Sequence, residues 1–394
     1  MTDTPQFDFD TVINRREQQS AKWTLHPEEI LPLWVADMDF HSPPQVAERL
    51  KARAEHGVFG YTMDYMELKE LVATRMKDLY DWDVQPEEVL FNPGMVLTLN
   101  LVNQAFATPG DGVLLQTPVY GPFFKVQNAN GQFAIPAELR RVEVDDKTFH
   151  YEIDIDAFER SITPQTKFFY LCNPHNPAGR VFTKDELEQL AAVCLKHNIL
   201  IISDEIHSDL LMGDHKHIPI ASLSPEISQQ TITLIAPSKT FNLPGLGCSV
   251  AIVQDAEKRA KLANAARNMG VHVNIMGLEA ASAAYAHGGE WLKQLLGYLT
   301  ANRDFATAYI REHMPMLKTT VPEGTYLLWI DASELAIPDE QSVQEFFFDA
   351  AKVALSPGDF FGQYYDKYTR LNYGCSRSTL QDALDRMRDA VNSL

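Results

Sequence analysis

Positive charge is what this 394-residue chain lacks most: 34 Lys and Arg stand against 53 Asp and Glu, a formal net charge of -19. Phosphate backbones and anionic membrane surfaces reward Lys and Arg, so neither nucleic acid nor a membrane is expected as a partner. Long apolar runs are missing too, and no stretch approaches the roughly 20 residues that span a bilayer. The opening Met1-Thr2-Asp3-Thr4-Pro5 has no basic region leading into an apolar one, so no signal peptide is expected. Cysteine is scarce. Cys172, Cys194, Cys248 and Cys375 lie far apart and form no CxxC pair; Cys194 falls in a helical pattern and the others in strand-like or catalytic-looking contexts. Buried reduced thiols are the reading, in a cytoplasmic protein. A metal centre is not expected either. His215-Lys216-His217 is the only close His pair, and it sits in a polar stretch without an evident third ligand, which reads as a surface loop.

The composition is 45% apolar and 22% charged, that of a soluble globular protein. The length exceeds one ordinary core, so two domains are the expectation. The middle of the chain alternates short apolar strands with amphipathic helices, the pattern of a mostly parallel sheet covered on both faces. Strands are expected at Val89-Leu90-Phe91, Val113 to Gln116, Phe168 to Leu171, Ile199 to Ser203, Thr231 to Ile235 and Ser249 to Val253. Thr183-Lys184-Asp185-Glu186 reads as a capping box, after which Leu187, Leu190, Ala191, Cys194 and Leu195 recur at helical spacing. A second helix carries Leu68, Leu71, Val72, Met76 and Leu79 in an apolar stripe interrupted by Arg75. After about residue 285 the texture changes to a long helix through Trp291 and Arg303, the apolar run Gly324 to Ile330, a helix near Val343 to Ala354, and Arg370-Leu371-Asn372. The expected division is an N-terminal segment 1–44 contributing to a small domain, a large domain 45–285 and a small α+β domain 286–394.

Three motifs then converge. In sheets of this class ligands sit beyond the carboxyl ends of the strands. Asn173-Pro174-His175-Asn176-Pro177, Asp204 and Lys239 each follow such an end. An amine for a Schiff base, a carboxylate to keep a pyridine nitrogen protonated and an amide for a phenolate oxygen are what pyridoxal 5'-phosphate (PLP) asks of a protein. Lys239 supplies the amine, Asp204 the carboxylate and Asn176 the amide. A lone Asp after a strand is more often a helix cap, a lone Lys a solvated charge and Asn-Pro a plain turn; it is their shared rim that favours the site. Gly94-Met95-Val96 offers backbone N–H groups to a phosphate at a helix start, and Ser238 adds a hydroxyl. Tyr120, in Thr117-Pro118-Val119-Tyr120-Gly121-Pro122, is placed to stack on the ring.

With these positions laid out, the chain resembles the fold-type I PLP enzymes of the aspartate aminotransferase superfamily over essentially its full length. The order Tyr120, Asn176, Asp204, Lys239, Arg370 matches that family's ring-stacking aromatic, phenolate donor, pyridinium carboxylate, cofactor lysine and carboxylate-binding arginine. The resemblance implies a PLP-dependent transferase fold, with a mostly parallel seven-stranded sheet sandwiched by helices. It also implies that Tyr61 reaches the phosphate of a neighbouring subunit's cofactor, hence a homodimer with shared active sites. Within the superfamily, Leu33 to Phe40, Ser238 to Asn242 with Gly245-Leu246-Gly247, and Arg370 to Arg377 look like the cystathionine β-lyase or cysteine-S-conjugate β-lyase subgroup. Two departures from the aminotransferase pattern matter. Gly247 stands where many relatives have a phosphate-gripping arginine, and His207 stands where many have a tyrosine beside the cofactor.

The reaction so implied is β-elimination from cystathionine, cysteine or a related amino-acid thioether, giving pyruvate, ammonia and a thiol. Lys239, with Tyr61 as a further proton source, is the expected catalytic group. Arg370, Asn176 and the backbone at Ala36 are expected at the substrate, with Arg377 as the other candidate for its carboxylate. An aminotransferase is the alternative reaction, and a partner-binding regulator on the same fold the alternative role.

Overall fold

The structure is a computed structural model that describes residues 5–62, 64–338 and 340–394, so residues 1–4 of the expected N-terminal segment lie outside it. Helix α1 (Met66–Tyr80) precedes strand β1 (Val89–Asn92), which leads into helix α2 (Met95–Phe106). Strands β2 (Gly112–Leu115), β3 (Phe133–Pro136) and β4 (Thr166–Cys172) follow. Helix α3 (Lys184–Lys196) then crosses to β5 (Leu200–Asp204), β6 (Thr231–Ile235) and β7 (Ser249–Ile252). These seven strands form one sheet in the order β1-β7-β6-β5-β4-β2-β3. Only β7 runs against its two neighbours; the other pairs are parallel. β3 had no expectation in the sequence because Phe133 and Pro136 are exposed and proline removes a ladder donor, which suits the sheet edge it occupies.

Strands buried on both faces read as unbroken apolar runs, and β5 and β6 are buried at every position. The capping box of α3 forms as expected: Thr183 N–H donates to Glu186 Oε2 at 2.8 Å and Glu186 N–H to Thr183 Oγ1 at 3.3 Å. It directs Leu187, Leu190, Ala191 and Cys194 into the core beneath the sheet, at about 1.5–3 kcal/mol for each large apolar side chain buried.

The C-terminal part starts with the long helix α4 (Gly289–His313). A second sheet has the order β8-β9-β11-β10, from β8 (Lys318–Thr319), β9 (Leu327–Asp331), β10 (Ser356–Pro357) and β11 (Tyr368–Asn372). Helix α5 (Arg377–Val391) closes the chain. The helix expected to reach Ala354 ends at Asp349, and Val353–Ala354 is instead a short strand pairing in parallel with Leu31–Pro32. Val353 and Ala354 are fully buried β-bridge partners, and the positive φ of Lys352 (57°) breaks the helical path before them. All four cysteines are buried and unpaired. No described helix is long and apolar enough to cross a membrane.

Candidate active site

The parallel strands end on one rim of the large sheet, and the residues singled out by sequence follow those ends. Asp204 closes β5, in register with Cys172 of β4 and Leu234 of β6. Its side chain is 2% exposed, and it accepts the Ile206 N–H at 3.1 Å. Among the described residues no cation lies within ion-pair distance of it. Burial pushes its carboxyl up to about 7, while the Ile206 N–H and the charge of Lys239 pull it back.

Lys239 lies on the single turn Pro237–Thr240 that follows β6. Its Nζ donates to the Ala36 carbonyl at 2.5 Å, and that carbonyl also accepts the buried Tyr326 hydroxyl at 2.9 Å. Burial lowers the amine to about 8; the charge of Arg370 lowers it further and Asp37 and Asp204 oppose. An amine of that kind is partly neutral near pH 8, as a nucleophile or proton acceptor needs.

Arg370, on β11, points at the same rim. Nη1 donates to Asn176 Oδ1 at 3.0 Å; Nη2 donates to the Trp34 carbonyl at 2.7 Å and to Ser356 Oγ at 2.9 Å. The guanidinium lies over the Phe361 ring at 4.9 Å, and Nε has no partner among the described residues. No carboxylate meets it among the described residues, and burial lowers its pKa to about 10. A buried cation with an unused donor and no counter-charge is costly to fold, and a substrate carboxylate would supply what is missing. Arg377 is turned elsewhere: its Nε donates to Asn302 Oδ1 at 2.8 Å and its guanidinium lies over Phe305 at 4.3 Å. It is held by an amide and a ring of α4.

Asn176 is 4% exposed, and its carbonyl oxygen is occupied by Arg370, which leaves its amide N–H groups without a protein acceptor among the described residues. Tyr120 follows β2 with its ring edge-on to Phe123 at 5.9 Å. Burial pushes its hydroxyl up to about 12, and the Asp204 carboxylate adds to the rise, so the two are electrostatic neighbours. His207 is 3% exposed, packs edge-on to Tyr326 at 6.0 Å and leaves Nδ1 unpartnered. Burial, with the charges of Lys239 and Arg370, holds its imidazole well below the usual range, so it is neutral.

Gly94 precedes α2, so the first-turn amides of Met95 and Val96 have no partner within the helix. The space where a Gly94 Cβ would stand is open. Ser238 is part-buried on the Lys239 turn. Gly247 has φ +53°, and a Cβ there would stand 2.8 Å from the Pro93 carbonyl oxygen. A side chain would therefore crowd the Pro93 backbone at the position where an arginine was the family expectation. Tyr61 is fully exposed, beside exposed Val58 (63%) and Phe59 (58%).

The donor set fits PLP. A buried carboxylate lacks a cation for a ring nitrogen, Asn176 has amide N–H groups to spare, helix α2 opens on free N–H groups for a phosphate, and a lysine of lowered pKa stands among them. The sequence did not single out Trp34, Ser356, Phe361 or Tyr326, which orient Arg370 and the Ala36 carbonyl. Their task depends on the loop that carries Trp34 and Ala36, which lies 336 positions before Arg370 and 290 before Tyr326. That loop is fastened by Asn372, whose Nδ2 donates to the Val35 and Asp37 carbonyls at 2.7 Å each. Asn242 Nδ2 also holds it, through the Met38 and Phe40 carbonyls at 2.8 Å each. Arg15 and Lys22 hold Asp39 at 2.6 and 2.8 Å. The His215-Lys216-His217 stretch is not wholly a surface loop: His217 is buried, 2.7 Å from Glu205. The described residues contain no metal-binding cluster.

Residues 28–387 match the family model described as aminotransferase class I and II. The chain is 39% identical to cystathionine beta-lyase PatB of Bacillus subtilis, over 98% of this chain and 100% of that protein. A PLP-bound protein of Clostridium difficile, named provisionally as an aminotransferase, superposes with a TM-score of 0.94 at 39% identity, over 98% of this chain and 100% of that one. Cystalysin of Treponema denticola, whose crystal structure contains PLP, superposes with a TM-score of 0.93 at 33% identity, over 99% and 100%.

Proposed function

We propose that this chain, which belongs to the class I and II aminotransferase family, is a PLP-dependent carbon–sulfur β-lyase acting on a small amino-acid thioether such as cystathionine. The observation that carries the reading is the full-length likeness to a cystathionine beta-lyase, on a rim whose unpaired groups suit the cofactor.

When bound, PLP supplies an electron sink for the bond broken at the amino acid's Cα. The chain's residues do the rest. Arg370 takes the substrate carboxylate with its unused donor and fork, a geometry for which guanidinium is shaped, and the backbone at Ala36 borders the same position. Asp204 offers its uncompensated carboxylate to the ring nitrogen, which favours the protonated ring. Asn176 would donate its amide to the phenolate oxygen while its carbonyl keeps Arg370 in place. Neutral His207 would add no competing charge near the ring. Tyr120 would stack on the ring, and Gly94, Met95, Val96 and Ser238 would offer donors to the phosphate. Lys239 would hold the cofactor, and its partly neutral amine is suited to take the proton from the substrate's Cα. The thiolate then leaves from Cβ; thiols are far more acidic than alcohols, so little acid help is needed. One water converts the released enamine to pyruvate and ammonia.

The active unit is a homodimer in which Tyr61 serves the neighbouring site. Its complete exposure, beside exposed Val58 and Phe59, supports this, because large apolar side chains clustered on a surface mark an interface. The division into residues 1–44, 45–285 and 286–394 accompanies the proposal, supported by the pairing of Leu31–Pro32 with Val353–Ala354. The likeness to the Clostridium difficile protein favours a second reading, amino transfer on the same site. Multiple turnovers of cystathionine to pyruvate with no keto acid present, unchanged when one is added, would support the lyase. Turnover that appears only with a keto acid would replace it with transfer.

A further inference from the structure

Arg75 is the one charge on the apolar stripe of α1, and the fold turns it toward the rim. Its guanidinium pairs with the Asp209 carboxylate, and both side chains are mostly buried. It also lies over the Tyr285 ring at 5.1 Å. The second oxygen of Asp209 accepts the Thr240 hydroxyl at 3.0 Å. Thr240 directly follows Lys239, and Asp209 lies five residues after Asp204. One carboxylate thus ties the stretch that begins with the ring-nitrogen acid to the turn that carries the amine. That turn has little to hold it. It is four residues long, with Phe241 N–H donating to Pro237 and Leu243 N–H to Ser238, both at 2.9 Å. A single turn has few internal bonds, so the direction of Lys239 depends on outside ties.

We propose that Asp209, anchored by Arg75 and bonded to Thr240, is a positioning residue that sets the direction of Lys239. The inference rests on Lys239 as the cofactor lysine. The carboxylate is fixed by its ion pair and cannot follow the turn, so Thr240 is held at a constant distance from β5. Removing the hydroxyl alone leaves the buried ion pair intact, which separates positioning from the larger loss that breaking the pair would cause.

The test is Thr240→Val in the holoenzyme, with Thr240→Ser as the conservative variant and Thr240→Ala in reserve should valine not fold. Three quantities are read: kcat, KM, and the pH midpoint of the visible absorbance of the lysine-bound cofactor. The expected result for Val or Ala is a kcat lowered roughly tenfold, a KM within about twofold and a displaced midpoint, with Ser restoring both kcat and midpoint. A valine variant whose kcat and midpoint match the wild type would overturn the inference, as would a loss that serine does not restore. Borohydride reduction of the wild type followed by peptide mapping checks the premise. A label on another lysine would remove the Lys239 assignment and this inference with it, whereas a label on Lys239 with unchanged Thr240 variants would remove this inference alone.

Discussion

Replacing Arg370 with alanine removes a buried guanidinium from the rim, and its consequence follows from what surrounds it. Arg370 spends one Nη1 bond on Asn176 and Nη2 bonds on Trp34 and Ser356, while among the described residues Nε is unused and no carboxylate pairs with it. A substrate carboxylate held by two charge-assisted bonds gains about 1.5–3 kcal/mol from each. Their loss amounts to about 3–6 kcal/mol, or roughly 10²–10⁴-fold in kcat/KM. Folding should suffer less than a buried arginine usually implies, because burial without a counter-charge already lowers the pKa of this one to about 10. Arg377→Ala removes only a bond to Asn302 and a stack on Phe305, so kcat/KM should stay within about threefold, at most one neutral-scale hydrogen bond's worth. Pyruvate release against cystathionine concentration measures both variants. A larger loss in Arg377→Ala than in Arg370→Ala would refute the assignment.

Three further outcomes are expected. In the cofactor-free protein the Asp204 carboxyl is raised from 3.8 to about 7, so its contribution to stability is full below the unfolded value and is lost as pH rises through 7. Asp204→Asn should therefore gain stability relative to wild type between about pH 4 and 7, by at most about 4 kcal/mol; parallel thermal-unfolding curves for the two proteins across that range would contradict this. Gly247→Ala should lower Tm, since a left-handed residue with a side chain costs about 1–2 kcal/mol before the contact with the Pro93 carbonyl is counted; calorimetry showing no loss would mean that the turn relaxes freely. Mixing inactive Lys239→Ala with inactive Tyr61→Ala subunits should restore about a quarter of wild-type activity, because half of randomly mixed dimers carry one intact shared site; no recovery would argue that each chain completes its own site.

Much of the fold was legible because its signals are local. Six of the seven large-sheet strands announce themselves as apolar runs, and α3 announces itself through Thr183 and Glu186. The exposed edge strand Phe133–Pro136 lacks such a run, and the strand Val353–Ala354 is set by a partner 322 positions earlier, at Leu31–Pro32. The rim residues Asn176, Asp204 and Lys239 were legible because each follows a strand end. Trp34, Ser356 and Tyr326 were not, since their work is done by a carbonyl, a hydroxyl on a two-residue strand and a buried phenol hydroxyl. Gly247 is the intermediate case: the sequence marks the missing arginine, and the backbone approach to Pro93 supplies the reason.

Pyruvate and free thiol followed together from cystathionine with PLP and no keto acid, in the wild type and in Lys239→Ala, report directly on β-elimination through Lys239. Equal release of both from the wild type, and neither from the variant, is the expected result. Pyruvate and thiol still produced by Lys239→Ala at the wild-type rate, or no release by the wild type until a keto acid is added, would contradict it.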